Sequence, residues 1–427
     1  MNNKEILNIL IIEAYTDANV GSCALVENAI KLLRERFPGS TIKVMAHVPK
    51  VFHDLYGIET IKDIFEYPFL QARLKQIFWL LKTSFWMTVC MTAVSVLPQS
   101  SIDRGKVPFA RKLAAFIDAD LVISVGAERI NDKFFKNVVF SLYTLSLVRK
   151  LGKKMVIFPS TIGPFIFGWS KRLARPVLKS VDLIYTRDEE STKATRVLTG
   201  DDATNLVETI DMAVLQEWIP REEALQIIGA DENDSIVGIS AMRWSYFRNR
   251  IETEFSNYES YLDEMALLAD SLISEYGVRI VLYPTNYPVH GCREDDLATS
   301  LEIRSRMKLA KEVLVIEQLP TPAALKGMLA CSDLNITTRM HACILSTGAC
   351  VPTISVNYLF KVREYMRSLG LEEFSVDIEE FTAEWTLGAF DRMWLERQRW
   401  KDHLSNVIEE KKSHVRQSME RLDDLVR

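Results

Sequence analysis

The chain alternates between short apolar runs and longer stretches in which apolar residues recur at helical spacing. The first apolar run covers residues 6–12, a Gly/Asn/Asp-bearing turn follows at 15–22, and residues 24–37 show helical periodicity up to Pro38-Gly39. Continuous apolar strands that alternate with amphipathic helices predict parallel sheets with helices on both faces. The other predicted strands cover residues 41–46, 121–125, 154–158, 183–186, 235–240, 278–283, 313–316, 334–337 and 353–356.

The strands fall into two groups. A chain of 427 residues exceeds the size at which one hydrophobic core keeps growing, so two domains are expected. The acidic stretch 216–234, which carries Pro220, separates the groups and places the boundary near residue 215. We predict α/β domains at 1–215 and 216–380 and a helical extension at 381–427 that packs back on the body. The predicted fold class is two Rossmann-like doubly wound domains in a GT-B-like arrangement.

Residues 78–98 form the most apolar segment of the chain. Lys82 interrupts it, and the uninterrupted part is shorter than the ~20 residues that span a bilayer. One interpretation is a buried core helix. The other is a helix at a membrane surface, because Trp79 and Trp86 and the nearby Arg73 and Lys75 suit an interface. Neither interpretation predicts a transmembrane protein.

Composition and charge exclude several classes of function. Hydrophobic residues at 48% and charged residues at 26% are ordinary for a globular protein. A formal net charge of −5 gives no general basic field, so we expect no nucleic-acid binding. The six cysteines form no CxxC pair and no Cys/His ligand spacing, which predicts no metal site and no disulfide framework. The N-terminal residues do not read as a secretory signal, so a cytoplasmic location is expected.

In open α/β sheets, ligands bind outside the carboxyl ends of the strands. In the first half, Asn19 and Gly21 precede a helix whose free N–H groups can bind an anion or a sugar hydroxyl. Gly126 lets a ligand approach the backbone after strand 121–125, and Glu128 can accept sugar hydroxyls. Arg187 directly follows strand 183–186, where it can bind a carboxylate or phosphate with two parallel hydrogen bonds. An ion pair with a neighbouring acid is the alternative for this arginine.

The densest group of candidate residues follows strand 334–337. Arg339 and His341 lie in the turn between that strand and a helix of small residues. Thr338 and the helix N-terminus offer hydrogen-bond donors to a phosphate, Arg339 supplies a permanent charge, and a histidine exchanges a proton near neutrality. We therefore predict an anion site with an acid–base residue in this turn.

Two neighbouring loops contribute further candidates at the same predicted rim. Tyr358 and Lys361 follow strand 353–356, and Lys361 can add a second positive charge. His290 lies in the loop after strand 278–283. A structural role is the alternative for each of these residues.

Six motifs, taken in order, resemble the polysaccharide pyruvyl transferase family from about Asn8 to Leu371. They are Asn19-Val-Gly-Ser22, Gly126-Ala127, Ile162-Gly-Pro164, Arg187-Asp-Glu-Glu-Ser191, Arg339-Met-His-Ala342 and Tyr358-Leu-Phe-Lys361. The chain departs from the family pattern at Ser22, where an acid is usual, at Ala127 in the Gly-rich turn, and at Met340, where leucine is usual. Ser22 and Ala127 lie in the predicted acceptor-side domain, so these departures bear on the acceptor more than on the donor.

The resemblance implies an enzyme that transfers a pyruvyl group from phosphoenolpyruvate to a sugar of a cell-surface or exopolysaccharide precursor as a ketal. Phosphoenolpyruvate would be the donor substrate, with no other cofactor, bound by the positions that match Arg187, Arg339 and His341. The acceptor would be a sugar or a lipid-linked saccharide at the first domain, with the donor at the second.

Several alternatives stay open at the level of sequence. The chain would be cytoplasmic or peripheral at the inner face of a membrane, with contact through residues 78–98, and a homo-oligomer is one further open alternative. A GT-B glycosyltransferase that uses a nucleotide sugar is one alternative function. A non-catalytic partner in glycan assembly is the other.

Overall fold

The structure is a computed structural model that describes residues 6–65, 73–96, 108–132, 135–243 and 258–426. The chain forms two compact units. Unit 1 contains Met1–Thr16, Ala29–Ile210 and Ser418–Arg427, and unit 2 contains Asp17–Asn28 and Asp211–Gln417. The units differ from the predicted domain ranges because residues 17–28 group with the second unit and the C-terminal helices divide at residue 418. The domain ranges themselves stay a prediction.

Unit 1 is built on a parallel sheet with the strand order β3-β2-β1-β4-β5-β6-β7. Its central strands are almost wholly buried, because helices cover both faces and the strands are therefore apolar throughout. The strands are β1 Asn8–Ala14, β2 Thr41–Ala46, β3 Glu59–Lys62, β4 Leu121–Ser124, β5 Lys154–Ser160, β6 Leu183–Thr186 and β7 Leu206–Glu208.

Connections between parallel strands of one sheet are right-handed in almost all proteins. The connections from β4 through β7 all run in one direction, so they place their helices on the same face of the sheet. The helices in this part of the chain are α1 Val20–Arg36, whose first half belongs to unit 2, α2 Pro49–Tyr56, α3 Arg73–Val96, α4 Pro108–Asp118, α5 Phe135–Lys150, α6 Gly168–Leu178 and α7 Glu189–Thr199.

Helix α3 corresponds to the apolar segment predicted at 78–98, and residues 97 and 98 of that segment lie outside the described residues. One side of α3 packs on α5, but most of its surface is exposed: Leu74 is 81% and Phe78 is 70% accessible. The interpretation as a buried core helix is therefore wrong. The sequence of this segment is apolar on all sides. Sequence alone therefore cannot show whether such a helix is buried in a core or has an exposed apolar surface.

Unit 2 contains a parallel sheet with the order β10-β9-β8-β11-β12-β13. Its strands are β8 Ile236–Ser240, β9 Arg279–Leu282, β10 Val313–Val315, β11 Leu334–Thr337, β12 Thr353–Asn357 and β13 Ser375–Asp377. Its helices are α8 Arg221–Ile228, α9 Tyr258–Tyr276, α10 Asp296–Arg306, α11 Pro322–Ala330, α12 Met340–Gly348, α13 Phe360–Ser368, α14 Ala383–Leu395 and most of α15 Arg397–Ser418; the last helix, α16 Arg421–Val426, belongs to unit 1.

The C-terminal helical extension predicted from sequence is present as three helices. Phe390 of α14 packs against Tyr276 with ring centroids 4.8 Å apart, and Trp400 of α15 packs edge-on against Phe374 at 5.0 Å. These buried aromatic side chains fix α14 and the start of α15 on unit 2. In unit 1, the hydroxyl of Tyr185 donates to the carbonyl of Ser418 at 3.2 Å, which attaches the end of the chain to β6.

Gly238 is required by close packing at the centre of the unit 2 sheet. A Cβ atom at this position of β8 would lie 2.0 Å from Asn335 Oδ1 and 2.6 Å from Tyr283 Cε2. Both neighbours are fully buried, so neither can move without opening the core.

We expect Gly238→Ala to lower the unfolding temperature, because overpacking a core costs about 1–3 kcal/mol. Gly388→Ala is the matched control: a Cβ there meets nothing within 4 Å, and the residue lies inside α14. Because alanine favours a helix interior by up to about 1 kcal/mol, the control should be neutral or stabilising. Calorimetric unfolding checks both variants, and equal transitions for the two would contradict this packing.

Candidate functional site

Arg339 of unit 2 is held between two carboxylates at the carboxyl end of β11. Its Nε and Nη2 donate to Asp296 at 3.0 and 2.6 Å, and its Nη1 lies 2.6 Å from Glu294 Oε2. Burial lowers the pKa of Arg339, but the charges of Asp296 and Glu294 outweigh burial and raise it above its ordinary value. The guanidinium is therefore charged and hydrogen-bonded to carboxylates of the protein itself.

Asp296 connects this arginine to the loop after β9. Its Oδ2 also accepts hydrogen bonds from the hydroxyl of Thr285 and the backbone N–H of Asn286, each at 3.1 Å. The sequence predicted that Arg339 would present its donors to a ligand anion. In the structure those donors tie two loops of the sheet edge together and hold the turn in position. Binding of a ligand anion by Arg339 stays a prediction.

His341 lies in the first turn of α12, next to a fixed acid. Its Nε2 is 3.9 Å from Oδ2 of Asp211, which is buried. The other carboxylate oxygen of Asp211 accepts from the backbone N–H of Ala213 at 2.8 Å and caps a 3₁₀ turn at Met212–Leu215. The acid is thus held in place with one oxygen toward the imidazole, at a distance that suits an electrostatic contact but exceeds a hydrogen bond.

Gly21 lies directly against the ring of His341. A Cβ on Gly21 would be 2.2 Å from His341 Cγ and Nδ1. The segment is fixed by backbone bonds from Val20 N to Thr285 O at 3.0 Å and from Tyr287 N to Ala18 O at 2.9 Å. Only glycine leaves room for the imidazole here.

Asn19 begins the same helix. Its Oδ1 accepts from the backbone N–H of Ser22 at 2.9 Å, as an N-cap does. The sequence assigned Asn19 and Gly21 to the first domain, but both belong to unit 2, where they adjoin the histidine site.

The other candidates of unit 2 have different surroundings. His290 is half-exposed, has a φ of +47°, and its Nδ1 lies 2.8 Å from Asp17 Oδ1. Thr338 is buried and its hydroxyl bonds Tyr261 at 2.8 Å, so this side chain supports the core. Lys361 is buried beside Tyr358, with its Nζ 6.0 Å from the ring centroid.

Arg187 of unit 1 is buried at the carboxyl end of β6. Its Nε donates to Thr161 Oγ1 at 2.9 Å, and that hydroxyl donates to Asp188 Oδ2 at 3.0 Å. The other oxygen of Asp188 accepts from Ser191 N at 2.7 Å and caps helix α7. These contacts set the position of the arginine on the strand end.

Gly126 of unit 1 is explained by a buried acid that sequence reasoning missed. Glu13 has a φ of +68° and accepts hydrogen bonds from the hydroxyls of Ser124 and Ser141. A Cβ on Gly126 would lie 2.5 Å from Glu13 Oε2, so the glycine makes room for this carboxylate. The signal in the sequence is a single acid directly after an apolar run.

Glu128 and Asp132 lie in the same loop. Glu128 is partly exposed, and its carbonyl accepts from the side chain of Asn131 at 2.8 Å. Asp132 accepts from the backbone N–H groups of Ile166 and Phe167 and shapes the loop after Pro164. Binding of a sugar by Glu128 stays a prediction.

Asp211, Glu294 and Asp296 also escaped the sequence analysis. Glu294 and Asp296 directly follow the loop of His290. The signal in the sequence was a pair of acidic residues at the start of a helix that follows a strand. Within the described ranges, no group of three or more His, Cys, Asp and Glu side chains has an arrangement that could hold a metal ion.

Comparison with known proteins identifies a family that matches most of the chain. A model of the family described as polysaccharide pyruvyl transferase matches residues 19–359, a range that contains both Gly21 and His341. The amylovoran biosynthesis protein AmsJ of Erwinia amylovora is 23% identical over 270 residues, which cover 61% of this chain and 62% of AmsJ. The match therefore spans somewhat less than two thirds of that relative.

Solved structures share the fold at low sequence identity. The UDP-GlcNAc 2-epimerase of Neisseria meningitidis, bound to UDP-GlcNAc, is 12% identical with a TM-score of 0.58 and covers 98% of this chain and 100% of its own. A glycosyltransferase of Rickettsia africae is 10% identical with a TM-score of 0.55 and covers 99% of each chain. The predicted fold class, α/β of the GT-B type, is confirmed.

The family model covers well over half of the chain, and the motifs around Gly21, Arg187, Arg339 and His341 fall within its range. The chain belongs to the polysaccharide pyruvyl transferase family.

Proposed function

We propose that the protein transfers a pyruvyl group from phosphoenolpyruvate to a saccharide acceptor. The observation that carries this proposal is the position of His341 in unit 2. Its imidazole lies at the N-terminus of α12, against Gly21 and 3.9 Å from the buried carboxylate of Asp211. An enolpyruvyl donor needs an anion site and a proton donor side by side, and this turn offers both.

The donor phosphate would bind at helix N-termini. The N-cap residues of α12 and α13, Arg339 and Leu359, form no side-chain cap with their helices. The first-turn N–H groups of such helices attract anions through hydrogen bonds and the helix dipole. Lys361, in the first turn of α13, adds a positive charge. Arg339 would act indirectly, by keeping the turn of His341 in place.

The chemistry adds one proton to C3 of the donor, forms two C–O bonds to the sugar and breaks the C–O bond to phosphate. His341, as imidazolium, would protonate C3 of the enol, and a sugar hydroxyl would attack the resulting electrophilic C2. Phosphate would then leave with its bridging oxygen, and a second hydroxyl of the sugar would close the ketal. The two hydroxyl protons are released, one of them to restore the histidine. Asp211 would stabilise the charged imidazole before transfer.

The acceptor is proposed to be a sugar of an exopolysaccharide precursor. The relative AmsJ is named for amylovoran biosynthesis, and the family name specifies polysaccharide. The departures at Ser22 and Ala127 leave the identity of the sugar to experiment. Several structural neighbours are bound to nucleotides, such as the UDP-GlcNAc 2-epimerase, so nucleotides are the natural competitors in a binding test.

Calorimetric titration with phosphoenolpyruvate, UDP and dTDP tests the donor. We expect phosphoenolpyruvate to bind and Lys361→Met to weaken it about 10- to 150-fold, because a hydrogen bond to a charged group contributes about 1.5–3 kcal/mol. Lys308→Met, an exposed lysine, is the control. Binding of a nucleotide in place of phosphoenolpyruvate would contradict the proposal.

His341→Gln should lower kcat by about 100- to 10,000-fold, the usual contribution of a positioned general acid. Glutamine keeps hydrogen-bonding capacity but cannot supply the proton, so phosphoenolpyruvate affinity should change little. His414→Gln, on the exposed side of α15, serves as the control. The assay follows phosphate release in the presence of a saccharide acceptor, and an unchanged rate in His341→Gln would exclude proton transfer by this residue.

Gly21→Ala should lower kcat by about 100-fold without removing any reacting group. The new methyl group would occupy the space of the His341 ring and displace it, and a shift of about 1 Å can cost that factor. Ser22→Ala, the adjacent and partly exposed position, should keep near-normal activity. If the Gly21→Ala enzyme kept full kcat, the imidazole would not need this position during catalysis.

A further inference from the structure

Three neighbouring helices of unit 1 share an unusual charge. Helix α5 packs between α3 and α6, so the three lie side by side on one face of the sheet. Each of them contains three Lys or Arg and no Asp or Glu. The whole chain, in contrast, has a net charge of −5. This face is therefore positively charged on an acidic protein.

The same face exposes large apolar side chains on its two outer helices. On α3, Leu81 is 68% and Phe85 is 64% accessible. On and before α6, Ile166, Phe167 and Leu173 are exposed. Tryptophan accompanies both groups, with Trp86 beside Phe85 and Trp169 stacked on Phe167. Exposed apolar surface of this extent indicates an interaction site.

The sequence of helix α3 is apolar on all sides, but one side of the helix packs on unit 1 and the other side is exposed. The residues of the inner side recur at helical spacing. They include Cys90, which is buried, and Met91 and Val94, which pack on the core of unit 1. The exposed side consists of residues three or four apart along the helix, namely Leu74, Phe78, Leu81 and Phe85. Since the inner side is already occupied, the outer side is available for another contact.

By length and composition alone, α3 could cross a bilayer. Its contacts argue for a different orientation. Trp79 packs edge-on against Phe140 of α5, the hydroxyl of Tyr143 donates to Met87 O at 2.9 Å, and Lys150 Nζ donates to Ser95 Oγ at 2.9 Å. These contacts hold α3 along α5 over most of its length. A helix held in this way would lie in the plane of a membrane surface.

The cations of α6 are positioned to complement an anionic surface. Lys171, Arg172 and Arg175 of α6, and Lys179 directly after it, are all exposed, and their side chains form no ion pair with an acid among the described residues. Lys and Arg beside exposed aromatic side chains are typical of proteins that bind the headgroup region of anionic membranes.

We propose that the α3–α6 face of unit 1 binds the surface of an anionic lipid bilayer. The outer side of α3 and the Phe167 region insert among the headgroups, and the basic side chains of α6 contact lipid phosphates. This binding is independent of the donor site in unit 2 and would bring the enzyme to acceptors carried at a membrane.

Flotation of the full-length protein with vesicles tests this inference. The protein should float with vesicles of equal parts phosphatidylcholine and phosphatidylglycerol, but much less with phosphatidylcholine alone, and high salt should release it. Lys171→Glu with Arg172→Glu should weaken partitioning at least about 30-fold, because each basic residue near an anionic surface contributes about 1 kcal/mol. Lys308→Glu with Lys311→Glu, at exposed positions of unit 2, is the matched charge control.

Leu81→Glu with Phe85→Glu should abolish flotation, whereas Leu267→Glu with Leu395→Glu, equally exposed elsewhere, should not. Circular dichroism and the unfolding temperature show that each variant is folded. Failure of the native protein to float, or equal losses in the patch and control variants, would overturn the proposal. A dimer that forms without lipid and is lost in the Leu81/Phe85 variant would overturn the membrane proposal in favour of a protein interface. If bound protein resisted extraction with alkaline carbonate, the in-plane arrangement of α3 would be overturned.

Discussion

The contact of buried Arg339 with buried Asp296 and partly exposed Glu294 fixes the geometry of the histidine site. It joins the end of β11 to the loop after β9, and that loop in turn holds the segment of Gly21 through the backbone of Thr285. Breaking a buried ion pair by removing one partner costs about 3–5 kcal/mol, because the remaining charge is left buried without compensation. The position of His341 therefore depends on charges that need not touch the substrate. Under the proposed function, the motif would serve catalysis through His341 while the arginine stays bound to protein acids.

The fold was predictable where burial made the pattern simple. Strands such as β1, β4 and β8 are covered on both faces, and they stand out in the sequence as continuous apolar runs. The edge strands β3, β7 and β13 were missed because they are short and carry polar or charged residues, whereas the edge strand β10, which is apolar throughout, was predicted. Sequence also could not assign residues 17–28 to unit 2, since that grouping depends on contacts with residues 285–287, far along the chain.

The candidate site was predictable in its residue types but less so in its contacts. Arg339, His341 and Gly21 were identified from their place after strands, which follows from the geometry of parallel sheets. The acidic partners of Arg339 lie more than forty residues away in sequence. The sequence therefore could not show that the hydrogen-bond donors of this arginine are bound by protein carboxylates. Likewise, Gly126 was predicted to let a ligand approach the backbone, but in the structure the carboxylate of Glu13 lies where a Cβ atom of residue 126 would be. The exposed apolar side of α3 could not be separated from a core helix until its packing was known.

A crystal structure of the protein with phosphoenolpyruvate tests the central claim most directly. The account predicts the phosphate at the N-terminal N–H groups of α12 or α13, with C3 of the donor within reach of the His341 imidazole and Arg339 still bound to Asp296. Phosphoenolpyruvate bound without contact to residues 340–342 or Lys361, or Arg339 released from Asp296 to bind the phosphate itself, would contradict it.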